Sequence, residues 1–248
     1  MAKLSVNVNK VATLRNSRGG SVPSVIDAVT VCLKAGAPGI TVHPRADRRH
    51  IRPEDVRGIV QVLRRDWPGI EYNIEGDPRV ELLDLVGEVR PDQCTLVPVA
   101  PGEVTSQAGW HPGPATDAIP AVVRGLHAAG IRVSLFVDAD AEPIRWVAST
   151  GADRVELYTE PFARAFEHNR AEARRSFARY AEAAALAHSL GLGVNAGHDL
   201  DLENLVMFRE LPHLDEVSIG HAIMSRALFV GLDTVVREYL QVLSSASS

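Results

Sequence analysis

The sequence predicts an α/β fold, a closed (β/α)8 or TIM barrel, in a single domain covering residues 1–248. Three observations carry this expectation. Short β-rich segments recur along the chain, each followed by a stretch with helical patterning. Eight such units in 248 residues average about 31 residues each, the size of a βα repeat. No Gly/Ser linker, low-complexity tract or block of like charge divides the chain. A doubly wound open sheet is the alternative. It would place a GxGxxG turn after the first strand, and none is present there.

The strands are expected at residues 4–9, 39–43, 70–75, 93–97, 131–138, 154–158, 193–196 and 216–220. The turns between them have the right chemistry. Lys34-Ala35-Gly36, Ala128-Ala129-Gly130, Ser149-Thr150-Gly151 and Ser189-Leu190-Gly191 each put a glycine after a helical pattern and shortly before a strand. Such a glycine ends a helix in the left-handed conformation without a Cβ clash. Pro53-Glu54-Asp55 opens a helix, with proline early and acids in the first turn. Two stretches exceed a minimal barrel. Residues 98–120 form a proline- and glycine-rich loop over the fourth strand, and 161–190 has room for a short extra helix before the main one.

Composition narrows the function classes. The chain is 46% hydrophobic and 23% charged, which is globular rather than disordered. A net charge of -5 argues against a nucleic-acid partner, since such proteins carry a basic face. No run approaches the ~20 apolar residues of a membrane span, and the N-terminus has no secretory apolar stretch. A soluble, cytoplasmic protein is expected. Cys32 and Cys94 sit in apolar runs and read as buried, reduced thiols. Lysine is confined to Lys3, Lys10 and Lys34, which leaves few candidates for an enzyme-bound Schiff base.

Barrel enzymes build their sites at the carboxyl ends of the strands, and there the polar residues collect. The first strand ends in Asn7-Val8-Asn9-Lys10, the second in His43-Pro44-Arg45 and the third in Asn73-Ile74-Glu75. The sixth carries Glu156 and Tyr158, the seventh Asn195-Ala196-Gly197-His198 and the eighth Gly220-His221. Alternation points Asn7 with Asn9, and Asn73 with Glu75, to one side of their strands. Any single one of these groups could be a surface histidine, a paired carboxylate or a loop cap. Six of eight strand ends together indicate an enzymatic site.

Three histidines (His43, His198, His221) and two carboxylates (Glu75, Glu156) suit repeated proton transfer near neutral pH. They could also ligate a metal, but the HxH of metal-dependent barrel hydrolases and HExxH are both absent. Arg18 and Arg45 lie just beyond strand ends and suit a phosphate or carboxylate. Arg48 and Arg49 read as a solvated basic patch. Gly197 and Gly220 would let backbone N–H groups approach an anion, in the loops that form the usual phosphate site of this fold. A phosphorylated small substrate follows.

In this order, the residues resemble the pyridoxine 5'-phosphate synthase family over essentially the whole chain. The resemblance rests on VNVNKVATLRNSRGG, GITVHPRADRRHI, YNIEGDP, VSLFVDAD, VNAGH and IGHAIMSRA. It implies condensation of 1-deoxy-D-xylulose 5-phosphate with 3-amino-1-hydroxyacetone 1-phosphate to pyridoxine 5'-phosphate, phosphate and water. No metal or organic cofactor is implied. By position, His43 resembles the family's general base, Glu75 a second acid/base, His198 the proton donor and Glu156 the group stabilising a charged intermediate. Asn7 and Arg18 correspond to contacts with the amino substrate. Arg45, His50 and Thr105 correspond to contacts with the xylulose phosphate, and Gly197, Gly220 and His221 to the other phosphate-binding side. Asn9 and Lys10 are further substrate-binding candidates, Lys10 as a point charge for a phosphate. The substrate's own amine forms the imine, in keeping with the scarcity of lysine. A homo-oligomer, octameric by resemblance, is implied as well.

Four departures lie at the active end. Asn9-Lys10 stands where the family has Asp-His, Val99-Ala100-Pro101 for Glu-Lys-Arg, Tyr158-Thr159-Glu160 for His-Thr-Gly, and Asp199 for glycine. They leave open a divergent paralogue that condenses another amine or phosphorylated keto substrate, or a catalytically silent ligand-binding barrel.

Overall fold

The computed structural model describes residues 1–99 and 108–245. In chain order the elements are β1 (Lys3–Asn7), α1 (Asn9–Asn16), α2 (Val25–Lys34), β2 (Gly39–Val42), α3 (Pro53–Asp66), β3 (Glu71–Gly76), α4 (Val80–Val89) and β4 (Gln93–Leu96). A short 3-10 turn at Pro114–Thr116 leads into α5 (Ile119–Ala128), β5 (Arg132–Val137), α6 (Ala141–Thr150), β6 (Arg154–Tyr158), α7 (Glu160–His168) and α8 (Arg170–Ser189). The chain then forms β7 (Gly193–Gly197), α9 (Leu205–Phe208), β8 (Leu214–Ile219), α10 (His221–Val230) and α11 (Leu232–Ser244).

All eight strands are parallel and close on themselves in sequence order. Closure pairs Lys3, Leu4, Ser5 and Val6 of β1 with Glu216, Val217, Ser218 and Ile219 of β8. The apolar core lies between strands and helices, where Ile40, Ile74, Leu82, Ile59 and Val235 are fully buried. α3 shows the helical logic. Val56, Ile59, Val60 and Leu63 recur at helical spacing on its buried face. Asp55 accepts from the Arg52 N–H at 2.8 Å, which closes its first turn. The four turn glycines behave as expected, with Gly36, Gly130, Gly151 and Gly191 at φ 103, 77, 84 and 80.

The barrel interior is unusually polar. Bulky branched side chains fill most such barrels, whereas here the lumen is a hydrogen-bonded lattice. Ser5 and Thr41 meet at 2.6 Å, Thr95 donates to Asn73 at 3.1 Å and Arg132 to Gln93 at 2.9 Å. Arg154 donates to Asn195 at 2.7 Å. Buried polar groups are tolerated because they satisfy one another.

The expected extra helix in 161–190 is α7, which begins one residue earlier at Glu160. Asn169 separates it from α8 and caps the latter by accepting from the Glu172 N–H at 2.9 Å. Phe162 of α7 packs on Phe208 of α9 (ring centroids 5.0 Å apart) and on Tyr180 of α8 (6.1 Å). Both cysteines are buried and free. Among the described residues, no helix is long and apolar enough to cross a membrane.

The first strand corrects the expectation. It stops at Asn7, and Asn9 is the first residue of α1 rather than a strand residue aligned with Asn7. The Asn7 side chain accepts from the Asn9 N–H at 3.1 Å, which turns the chain out of the sheet. Helices α10 and α11, read as one helical stretch from sequence, are divided at Gly231, whose φ is 89.

Phe162 is wholly buried and joins three helices. Phe162→Ala is therefore expected to lower the unfolding free energy by about 3–5 kcal/mol. Urea denaturation followed by circular dichroism measures this.

Candidate active site

A cavity of about 410 Å³ opens at the carboxyl ends of the strands. Nearly all the strand-end residues singled out above converge there. Asn7, Asn9, Lys10, His43, Arg45, His50, Glu75, Glu156, His198, Gly220 and His221 all line it. Gly197 lies directly beneath, against Glu156. Arg18 does not line the cavity. It sits exposed in the turn after α1, while Arg15 of the same helix turns inward and pairs with Asp55. Arg49 is exposed, as a solvated patch implies, and it also lines the cavity. Thr105, with Ala100 and Pro101, lies outside the described residues.

His43 follows β2 directly and is almost wholly buried. Its backbone N–H donates to Asn9 Oδ1 at 2.9 Å. That contact asks only for an acceptor oxygen, so an amide serves there as well as a carboxylate. The imidazole Nδ1 is 3.9 Å from Glu75 Oε2, and Nε2 is buried with no hydrogen-bond partner among the described residues. Burial pushes the His43 pKa well below its usual value, reinforced by the charges of His50, Arg45, Arg79 and His198. His43 is thus a neutral imidazole holding a free acceptor or donor position in the cavity.

Glu75 accepts weakly from Ser218 Oγ at 3.3 Å and Asn7 Nδ2 at 3.4 Å. Burial raises its pKa to about 7; the Ser218 bond opposes this and Glu216 adds to it. Glu156 is raised well above the ordinary carboxylate range, first by burial and then by Glu75, against a hydrogen bond from Thr95. A Cβ on Gly197 would lie 2.4 Å from Glu156 Oε1, and one on Gly220 2.9 Å from the Asn7 carbonyl oxygen. Close approach of neighbouring strands is what these two glycines permit.

His198 leaves β7 in the left-handed region, at φ 77, and Asp199 follows at φ 54. The His198 ring meets Phe136 and Tyr158 edge-on, with centroids 5.0 and 5.5 Å away. On the opposite wall, burial lowers the His50 pKa to about 4, helped by Arg45. His50 Nδ1 accepts from the Ile51 N–H at 2.9 Å. Of the three lysines, Lys10 alone lines the cavity.

The sequence reading passed over Thr13 and Ser218, which also line the cavity, as does Asp199, noted there as a departure. Ser218 was accessible through alternation, since Glu216 and Ser218 share a face of β8. Thr13 lies one helical turn beyond Asn9, and that signal needs the unexpected α1. Among the described residues, no group of three or more His, Cys, Asp or Glu side chains is arranged to hold a metal ion.

A barrel whose mouth combines a neutral histidine, two protonatable carboxyls and a rim of cations is an acid/base enzyme of the (β/α)8 class. Residues 4–245 match the family model described as pyridoxal phosphate biosynthesis protein PdxJ, and the chain belongs to that family. It is 52% identical over 240 residues to a pyridoxine 5'-phosphate synthase of Porphyromonas gingivalis, covering 96% of this chain and 98% of that one. A synthase of the same name from Christiangramia forsetii is 51% identical over 244 residues, covering 98% and 100%. Phosphoribosyl anthranilate isomerase of Thermus thermophilus shares the fold with a TM-score of 0.61 at 15% identity, over 98% of each chain.

Two predictions follow from this geometry. The Glu75 carboxyl titrates near 7 in the folded chain against about 4.5 when unfolded. Below pH 4.5 both states hold the proton. Between about 4.5 and 7 only the unfolded state has lost it, so burying Glu75 lowers stability as pH rises through that window, with no further loss above it. Glu75→Gln removes the effect. The variant is expected to gain on wild type by on the order of 3 kcal/mol between pH 4 and pH 8, measured by chemical denaturation at both. Asn9→Asp, which keeps the acceptor, leaves stability nearly unchanged. Asn9→Leu strands the His43 N–H and costs about 1–3 kcal/mol in the same assay.

Proposed function

We propose that the chain is a pyridoxine 5'-phosphate synthase, joining 1-deoxy-D-xylulose 5-phosphate to 3-amino-1-hydroxyacetone 1-phosphate with loss of phosphate and water. The convergence of His43, Glu75, Glu156 and His198 on one cavity carries this reading, together with family membership. Imine formation, dehydration, phosphate loss and ring closure each move a proton. The cavity offers donors and acceptors in complementary states. Neutral His43 accepts, and Glu75, titrating near 7, both accepts and returns. Glu156 holds its proton until a cationic imine forms beside it, when the new positive charge favours the carboxylate. His198 delivers a proton from the opposite wall.

The amine comes from the substrate, so the enzyme needs no Schiff-base lysine. Lys10 instead joins Arg45, Arg49, His50 and His221 around the mouth as a point charge for a phosphate. The neighbouring Asn9 supplies the oxygen that fixes the His43 backbone. The Asn9-Lys10 pair is thus compatible with the family reaction. The same reading carries a cytoplasmic homo-oligomer, octameric by resemblance. Leu228 and Phe229, 74% and 87% exposed at the end of α10, supply apolar surface for assembly.

Purified protein dialysed against a chelator is expected to form pyridoxine 5'-phosphate from the two substrates, detected by chromatography. His43→Ala lowers the rate about 100-fold or more. No product above that variant, with the P. gingivalis relative active alongside, overturns the reading. Light scattering that returns a monomer at micromolar concentration overturns the assembly.

A further inference from the structure

Two consecutive non-glycine residues in the left-handed region, His198 and Asp199, are costly, at about 1–3 kcal/mol each. They persist only if the surroundings over-determine them. The support comes from Thr159, the residue after β6, which is wholly buried. Its hydroxyl is 2.6 Å from the Gly197 carbonyl oxygen and also within hydrogen-bonding reach of the His198 carbonyl oxygen. Its backbone N–H donates to the same Gly197 oxygen at 3.0 Å.

Those two carbonyls belong to the peptide planes on either side of the His198 Cα. Rotation of the first plane is φ of His198, and rotation of the second is ψ. One hydroxyl proton shared between both oxygens therefore fixes both dihedrals of one residue. The next plane is held as well, because Asn204 Nδ2 donates to the Asp199 carbonyl at 3.0 Å. The ring is confined separately, by Phe136 and by Tyr158. Tyr158 is itself anchored where its carbonyl accepts from the Tyr180 hydroxyl of α8 at 2.5 Å.

We propose that Thr159 is a positioning residue for the reaction: its hydroxyl clamps both peptide planes of His198 and so aims the imidazole into the cavity. The proposal rests on the reading of His198 as the proton donor. Thr159 is wholly buried and is not among the residues lining the cavity, so it acts through His198.

The test compares full-length Thr159→Val, which keeps shape and loses the hydroxyl, with Thr159→Ser, which keeps the hydroxyl. Thr159→Val is expected to lower kcat roughly 10- to 100-fold, as misplacement of a catalytic group by about 1 Å does. KM should change less than about threefold, because the cationic side chains of Lys10, Arg45 and Arg49 are untouched. Thr159→Ser should stay within about twofold of wild type on both. The His198 imidazole resonance, assigned by its loss in His198→Asn, should move in the valine variant and not in the serine variant.

Full kcat in Thr159→Val, or an unmoved His198 resonance, overturns the proposal. So does a serine variant as impaired as the valine one. If the valine variant does not fold, Thr159→Ala takes its place with the same expected loss. Failure of both hydroxyl-free variants to fold makes the hydroxyl a stability element and overturns the proposal too. Wild-type protein that forms no product defeats the functional reading instead, and the His198 resonance still reports on the clamp.

Discussion

Three carboxyl groups, Glu75, Glu156 and Glu216, are buried inside one closed barrel, and they cannot all be ionised together. Each is driven toward its neutral form by loss of water. The Glu75 charge further raises Glu156, and Glu156 further raises Glu216. Arg132 and Arg154 are cationic side chains hydrogen-bonded into the lumen. Arg132 contacts Gln93 and Glu71 at the starts of β4 and β3, and Arg154 contacts Asn195, the register neighbour of Glu156. The upper half of the barrel therefore stores protons. A neutral His43 stands beside the carboxyls, with Nδ1 3.9 Å from Glu75.

The rest of the architecture keeps these groups dry and near one another. Pairing of β1 with β8 brings Asn7 and Ser218 onto Glu75, and parallel pairing of β6 with β7 sets Glu156 against Gly197. Outside the strands, helices seal the lumen from the sides. Water reaches the carboxyls chiefly through the mouth, which is where the cations stand.

Much of this could be read from the sequence. Strand rhythm located all eight strands within a few residues, because buried parallel strands between glycine-terminated helices leave a strong pattern. The polar residues at their ends then had to converge, since barrel closure leaves them nowhere else to go. Less legible were features set by single contacts. α1 is hidden because Asn7 and Asn9 alternate like strand residues, and only the Asn7 side chain bonding to the Asn9 N–H marks the turn. Arg15 and Arg18 look equally available, yet burial beside Asp55 commits Arg15 to structure. Glu216 sits within β8, short of the strand end where site placement points, and its influence on Glu75 appears only once the barrel closes.

Gly197 has a consequence for how molecules can sit in the cavity. With no room for even a methyl group between β7 and Glu156, the β6–β7 side of the mouth is a narrow, aromatic-backed wall. The β1–β2 side carries Lys10, Arg45 and His50. The cavity's cationic side chains are thus gathered on one side. A molecule with a charged tail and a small reactive head has one comfortable orientation, head to the wall and tail to the rim. Polarity of binding is in this way built into the backbone, before any side chain makes a specific contact.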